Sequence, residues 1–415
     1  MLYVACREVW STISHPTLLR RSSMPAIVRS PRFSAIALLT AAVLGLLAAN
    51  SPLGPGLEHL LHVQAPWGAV GLDLSVSHWI SDGLLAVFFL LVAIELKHEL
   101  VAGELSNPKT AVIPAIAAVG GVLVPAGIYL LVTAGTPYGH GWPIPTATDI
   151  AFALGVLAMF GRGLPSTLRV FLLALAVLDD LIAIIIIAVV FAHDTDFLAL
   201  AGAVVVLALF WLLGKALRPG RPGQTWVIAG MVVLGVLTWW LVYHSGVHAT
   251  IAGVALGLVL PRRPGHTLHG NVEPWSNAIV LPVFAFASAA VVVPAVGIGE
   301  LSPTFWAVVL ALPVGKVIGI TLFGAVATRI FRAPGRSTLS FWSIVTVGVL
   351  GGIGFTVSLL MNELAFARNE EILDEGVLAV LVGSGIAIVA SAVVVSLRAR
   401  RYRARRELSE AEATE

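Results

Sequence analysis

Long apolar runs, each about as long as a lipid bilayer is thick and each closed by a short polar stretch, recur along the whole 415-residue chain. A spanning helix needs about 20 predominantly apolar residues. Runs of that kind lie near 33–49, 79–95, 111–133, 143–161, 167–192 and 197–214, and again near 276–298, 304–328, 340–361 and 376–397. The stretch 225–260 holds no Lys, Arg, Asp or Glu and is too long for one span. It divides at His244-Ser245-Gly246 and leaves a short second helix. The pattern predicts an all-α polytopic membrane protein with twelve transmembrane helices and short loops.

Composition agrees. Hydrophobic residues make up 58% of the chain, charged residues only 12%, and the mean hydropathy is +0.94. Soluble domains carry about 25% charged residues, so a soluble enzyme, a disordered chain and a coiled coil are excluded. A net charge of +2 gives no argument for nucleic acid, and the single Cys6 allows neither an internal disulfide nor a Cys-based metal site. Of the 25 Lys and Arg residues, only Lys316 and Arg368 fall outside one alternating set of loops and the two termini. By the positive-inside rule both termini are then cytoplasmic. The chain divides into a basic arm, 1–31, a twelve-span body, 32–398, and a charged tail, 399–415. Met24 lies closer to the first span than Met1 and is an alternative start. The first run lacks a clear small-x-small cleavage site, so it reads as a retained span.

With the loops filled, Asp149, Asp179, Asp180 and Lys316 remain at membrane depth, and Glu95 lies nearer the cytoplasmic end of the second span. Each costs about 2.5–3.5 kcal/mol at a helix centre, and such residues mark ion and proton pathways. Simple Asp–Lys neutralisation leaves carboxylates over, because three acids face one lysine. Asp149 follows Trp142-Pro143-Ile144-Pro145-Thr146-Ala147-Thr148, where two prolines argue for an interrupted helix. Freed carbonyls and the Thr148 hydroxyl are hard oxygen ligands beside a carboxylate. Asp179 and Asp180 are consecutive and point about 100° apart on a helix, so they serve different partners. A carboxylate in such a place holds either a proton or a metal cation, and the two compete. Lys316 follows Pro313-Val314-Gly315. Gly348, Gly351, Gly352 and Gly354 interrupt the eleventh span. Spans 3–5 and 10–12 thus form two trios with broken middle helices, the pattern of a binding site between inverted repeats.

These residues carry a family resemblance over about Phe33 to Leu397. The chain resembles the NhaA sodium/proton antiporters, a family that is itself a standing example of inverted repeats. The matching stretches include Asp82-Gly83-Leu84-Leu85-Ala86-Val87-Phe88-Phe89-Leu90, Ala147-Thr148-Asp149-Ile150-Ala151-Phe152-Ala153-Leu154-Gly155, Leu178-Asp179-Asp180-Leu181, Ser245-Gly246-Val247-His248-Ala249-Thr250, Gly315-Lys316 and Gly352-Ile353-Gly354-Phe355-Thr356.

The resemblance implies that Asp179, Asp180 and Thr148 hold the transported Na⁺ or proton. It implies that Asp149 and Lys316 balance the dipole ends of the crossed helices 4 and 11, with Lys316 also available to Asp179. It further implies electrogenic exchange that accepts lithium, with no cofactor. The region of Glu95, Lys97, His98, Glu99 and Glu273, together with His248, resembles the family's pH-response set. His98 stands where an arginine is expected. Residues 51–78 resemble a periplasmic β-hairpin that joins two protomers, which implies a homodimer in the bacterial inner membrane.

Other classes fit less well. The Tyr-Asp and Gly-Leu-Gly-Asp motifs of an intramembrane aspartyl protease do not occur, nor does the second Asp pair of a Mg²⁺-dependent prenyl transferase. No ATP motif is present. A passive cation channel differs from an antiporter only in lacking obligatory proton counterflow.

Overall fold

Most of the long helices begin where a polar cap or a proline precedes an apolar run. The computed structural model describes residues 28–412 except 65–71, 193–194, 218–223, 295–296 and 332–339. The arm 1–27 with Arg7, Arg20, Arg21 and Met24, the centre of the expected hairpin, and Asp194, Arg218, Arg221, Arg332 and Arg336 lie outside the described residues. Helix α1 is Pro31–Ala49; the Ser30 side chain accepts from Phe33 N–H, and proline occupies the first turn, where its missing N–H costs nothing. Next come α2 (Gly54–His62), α3 (Val76–Ala102) and α4 (Pro108–Val132). Two 3₁₀ turns at Pro137–Gly141 and Ile144–Thr146 lead into α5 (Ile150–Phe160), then α6 (Ser166–Val190), α7 (Phe197–Ala216) and α8 (Gln224–His244). The second half holds α9 (Thr250–Val259), α10 (Arg262–Trp275), α11 (Leu281–Ser288) and α12 (Pro303–Ile330). It closes with α13 (Phe341–Gly351), α14 (Phe355–Phe366) and α15 (Glu370–Glu412).

Eight of these helices are long and apolar enough to cross a membrane, and two bent pairs raise the number to ten. Among the described residues no sheet forms; Gln64 and Ser75 make one isolated antiparallel bridge inside the expected hairpin region. The run 225–260 is divided after His244, with α9 as the short second piece. The run expected near 276–298 stops early, at Ser288. Pro294 disfavours helical backbone at Val293, and the Asn50 amide instead holds the Val291 carbonyl and the Val293 N–H, both at 2.9 Å. The last helix continues through the charged segment to Glu412.

α6 is the most deeply enclosed candidate span, packed by α3, α4, α9 and α13, whereas α7 and α8 turn most of their surface outward. One very close crossing joins α4 and α12. A Cβ on Gly319 would strike the Gly120 carbonyl, and one on Gly120 would lie 2.6 Å from the Gly319 carbonyl, so only two glycines allow the approach.

Among the described residues three π-helical turns punctuate the bundle, at Trp79–Leu84, Ser276–Val280 and Ala311–Gly315. The third contains Pro313, which removes a backbone donor and widens the turn immediately before Lys316.

Candidate functional site

Both bent pairs break at the same place in the bundle. The first bends by 42° across Ala147-Thr148-Asp149, and the second by 50° across Gly352-Ile353-Gly354. Backbone that is not helical needs partners inside the protein at this depth, and each break supplies them to the other. Asp149 N–H donates to the Ile353 carbonyl at 2.6 Å, and the Thr148 hydroxyl donates to the Gly351 carbonyl at 2.9 Å. Ser358 donates to the Ile144 carbonyl at 2.7 Å. Gly354 is required here, since a Cβ would meet the Ser358 hydroxyl and sit 3.0 Å from the Ala147 carbonyl.

The Asp149 carboxylate caps two helices at once. Its Oδ1 accepts from Phe152 N–H at 3.1 Å in the first turn of α5, and its Oδ2 accepts from Thr356 N–H at 3.2 Å in the first turn of α14. The Thr356 hydroxyl adds a 2.7 Å bond to Oδ2. A buried negative charge between two positive helix ends is favourable.

Lys316 and Asp179 form a fully buried ion pair, with Nζ donating to both carboxylate oxygens at 2.8 Å and exposures of 0% and 1%. Thr148 lies beside the same carboxylate. Asp180 differs from its neighbour. It is half-buried, no hydrogen bond to its carboxylate is formed among the described residues, and it lies within electrostatic reach of Asp179, Glu95, Asp149 and Lys316. The centre thus offers one committed acid, one uncommitted acid and a threonine oxygen, a set suited to a hard cation or a proton.

Glu95 connects this centre to a cleft of about 150 Å³ at the Arg262 end of the bundle, lined by Glu95, Lys97, His98, Glu99, His266 and His269 among others. Lys97 donates to the Leu260 carbonyl at 2.8 Å and so holds α3 against the end of α9. Glu99 accepts from Glu104 N–H, and His98 packs edge-on against His266. His269, which sequence reasoning missed, stands between Glu95 at 3.8 Å and Glu273 at 3.7 Å. Burial pulls the His269 imidazole down, but the two carboxylates hold it above its ordinary value of 6.5. Burial also pushes Glu273 up, partly offset by His269. The i,i+4 spacing of His269 and Glu273 was the available signal. His248 is not part of this group. It precedes α9 at the opposite end, with Nε2 3.0 Å from Asp82 and Nδ1 2.9 Å from the Thr250 hydroxyl.

A helical membrane bundle whose two broken helices cross beside buried charges defines an ion-coupled secondary transporter architecture. The family model described as Na⁺/H⁺ antiporter 1 matches residues 25–395. Na(+)/H(+) antiporter NhaA 2 of Clavibacter michiganensis subsp. michiganensis is 56% identical over 92% of this chain and 93% of its own length. The Na(+)/H(+) antiporter NhaA of Tropheryma whipplei is 45% identical over 92% and 97%. That of Streptomyces avermitilis is 46% identical over 94% and 84%. The sodium proton antiporter MjNhaP1 from Methanocaldococcus jannaschii shares the fold, with a TM-score of 0.51 at 16% identity, over 90% of this chain and 99% of that one. The chain belongs to the NhaA family of Na⁺/H⁺ antiporters, as the sequence resemblance implied.

Proposed function

We propose that the protein is an electrogenic Na⁺(Li⁺)/H⁺ antiporter of the bacterial inner membrane, regulated by pH and serving sodium and pH homeostasis. Its twelve passes form inverted repeats, with α9 and α11 as the short members, both termini cytoplasmic, and residues 51–78 joining two protomers. No cofactor takes part. The observation that carries the reading is the contrast inside one dipeptide: Asp179 is locked to Lys316, while the Asp180 carboxylate has no hydrogen bond among the described residues and lies in the field of Glu95.

The chemistry follows from competition at oxygen. A cytoplasmic Na⁺ passes the cleft at Glu95 and binds Asp180, with Thr148 and the Asp179 carboxylate within reach. Binding displaces protons, because a carboxylate oxygen cannot hold both ions. After the crossing helices shift, Na⁺ leaves outward and protons from the acidic outside reload the acids. More protons enter than sodium ions leave, so charge moves and the proton gradient drives the cycle. Asp149 stays with the helix ends and keeps the crossing electrically balanced as the site changes sides.

Everted membrane vesicles test the site. Added Na⁺ should dissipate a preformed ΔpH with the wild-type chain and not with Asp180→Asn, which remains folded and membrane-inserted. Persistent Na⁺-driven proton release in Asp180→Asn would remove Asp180 from the ion site. Sodium current without proton counterflow would identify a channel.

A further inference from the structure

A second group of ionisable side chains lies toward the opposite face from the Glu95 cleft. The π turn Trp79–Leu84 carries Ser81 and Asp82, both buried. Such turns widen a helix by one residue and are frequent at functional sites. Two contacts from α8 fix this one: Trp239 stacks on Trp79 at 5.6 Å, and its indole N–H donates to the Asp82 carbonyl at 3.0 Å. Glu363, two turns into α14, lies near Ser81 and in the field of Asp82. His248 presents Nε2 to Asp82 Oδ1 at 3.0 Å. Tyr243 from α8, with His78 and Asp73, adds further titratable groups around Asp82 and His248.

The second observation concerns a single atom. Asp82 is 8% exposed, yet its Oδ1 accepts no hydrogen bond, since His248 is near but not aligned. A buried acceptor left open is costly, and more so when the group is charged. Here its neighbours are a second acid and an imidazole that leaves the bond incomplete. Two carboxylates and a hydroxyl in one apolar wall form a hard-oxygen set for a proton or a monovalent cation. The strongest charges acting on Asp180 are those of Asp179, Glu95, Asp149 and Lys316, whereas Glu363 and His248 both lie in the field of Asp82.

We propose that Asp82 and Glu363, with Ser81 and His248, form an outer exchange site that takes protons from the outside and receives outgoing Na⁺ before it reaches bulk water. The proposal rests on the antiporter reading and assigns its outward-facing half. Glu363 lies on α14, so the broken helix whose first turn holds Asp149 also carries a ligand of this outer site. Movement of α14 therefore changes both places together.

Sidedness provides the test. Added Na⁺ meets the cytoplasmic face in everted vesicles and the outer face in right-side-out vesicles, and Na⁺-dependent ΔpH change between pH 6 and 9 gives an apparent KM for each. Glu363→Gln and Asp82→Asn should raise the outer-face KM at least fivefold, leave the cytoplasmic-face KM within twofold, and flatten the outer-face pH profile. Glu363→Asp should restore most of the outer-face affinity. A KM unchanged on both faces, or shifted alike on both, would overturn the outer site. A wild-type chain that produces no Na⁺-driven ΔpH change would overturn the antiporter reading and the outer site together.

Discussion

Replacing Lys316 by Met tests the buried pair most directly. Nζ contacts both Asp179 oxygens at 2.8 Å, and neither side chain is more than 1% exposed, so water and salt screen the pair very little. Removing one partner of a buried pair typically costs about 3–5 kcal/mol, because the other charge is left without compensation. At 1.4 kcal/mol per factor of ten, that is a loss of about 150- to 4,000-fold in the folded-to-unfolded ratio. The double variant Lys316→Met with Asp179→Asn removes both charges, and neutral replacements of similar volume at buried pairs are often tolerated. It should recover most of the loss, which makes the two substitutions strongly non-additive. The measurement is the folded fraction of the detergent-solubilised full chain after graded heating, read by size-exclusion profile at constant pH. A single variant as stable as wild type, or a double variant no better than Lys316→Met, would refute the pair as a stabilising contact.

Two further expectations concern the mouth and the crossing. Because His269 is held above 6.5, its contribution is fully present below the unfolded value and is lost as pH rises through the folded one. Its partners Glu95 and Glu273 are 41% and 49% exposed, so each contact is worth about 0.2–1 kcal/mol. Amide protection over α10, taken relative to the base-catalysed intrinsic exchange rate at each pH, should therefore fall on the alkaline side of 6.5 in the wild type and lose that fall in His269→Asn; identical protection profiles would exclude the clamp. Gly354→Ala should abolish Na⁺-driven ΔpH collapse and lower thermal stability, since its Cβ would press on Ser358 and on the Ala147 carbonyl. Wild-type transport in that variant would show that the crossing can relax.

What the amino-acid order disclosed depended on whether a feature was local. Pro143, Pro145 and the glycines of 348–354 marked both breaks, since each acts on its own turn of backbone. The buried charges were conspicuous against apolar neighbours. The partners of those charges were not legible: Thr356 lies 207 positions from Asp149, and their bond exists only because the two breaks cross. Glu363 interrupts the apolar segment 353–366 as plainly as Asp149 interrupts its own, but its company with Ser81 and Asp82 is a product of packing. The early end of the run beginning at 276 was hidden for a related reason. Apolar residues continue to Val293, and it is the distant Asn50 amide that takes their backbone out of the helix.

The separation of Lys316 from Asp179 along the chain, 137 residues, also sets a biosynthetic interval. At about 5–20 residues per second, α6 is synthesised about 7–27 s before the ammonium that neutralises it exists. The Thr356 donor for Asp149 arrives later still. The insertion machinery must therefore shelter two helices bearing acids whose counterparts are not yet made. Assembly of the first half is provisional until the last third of the chain is threaded into place.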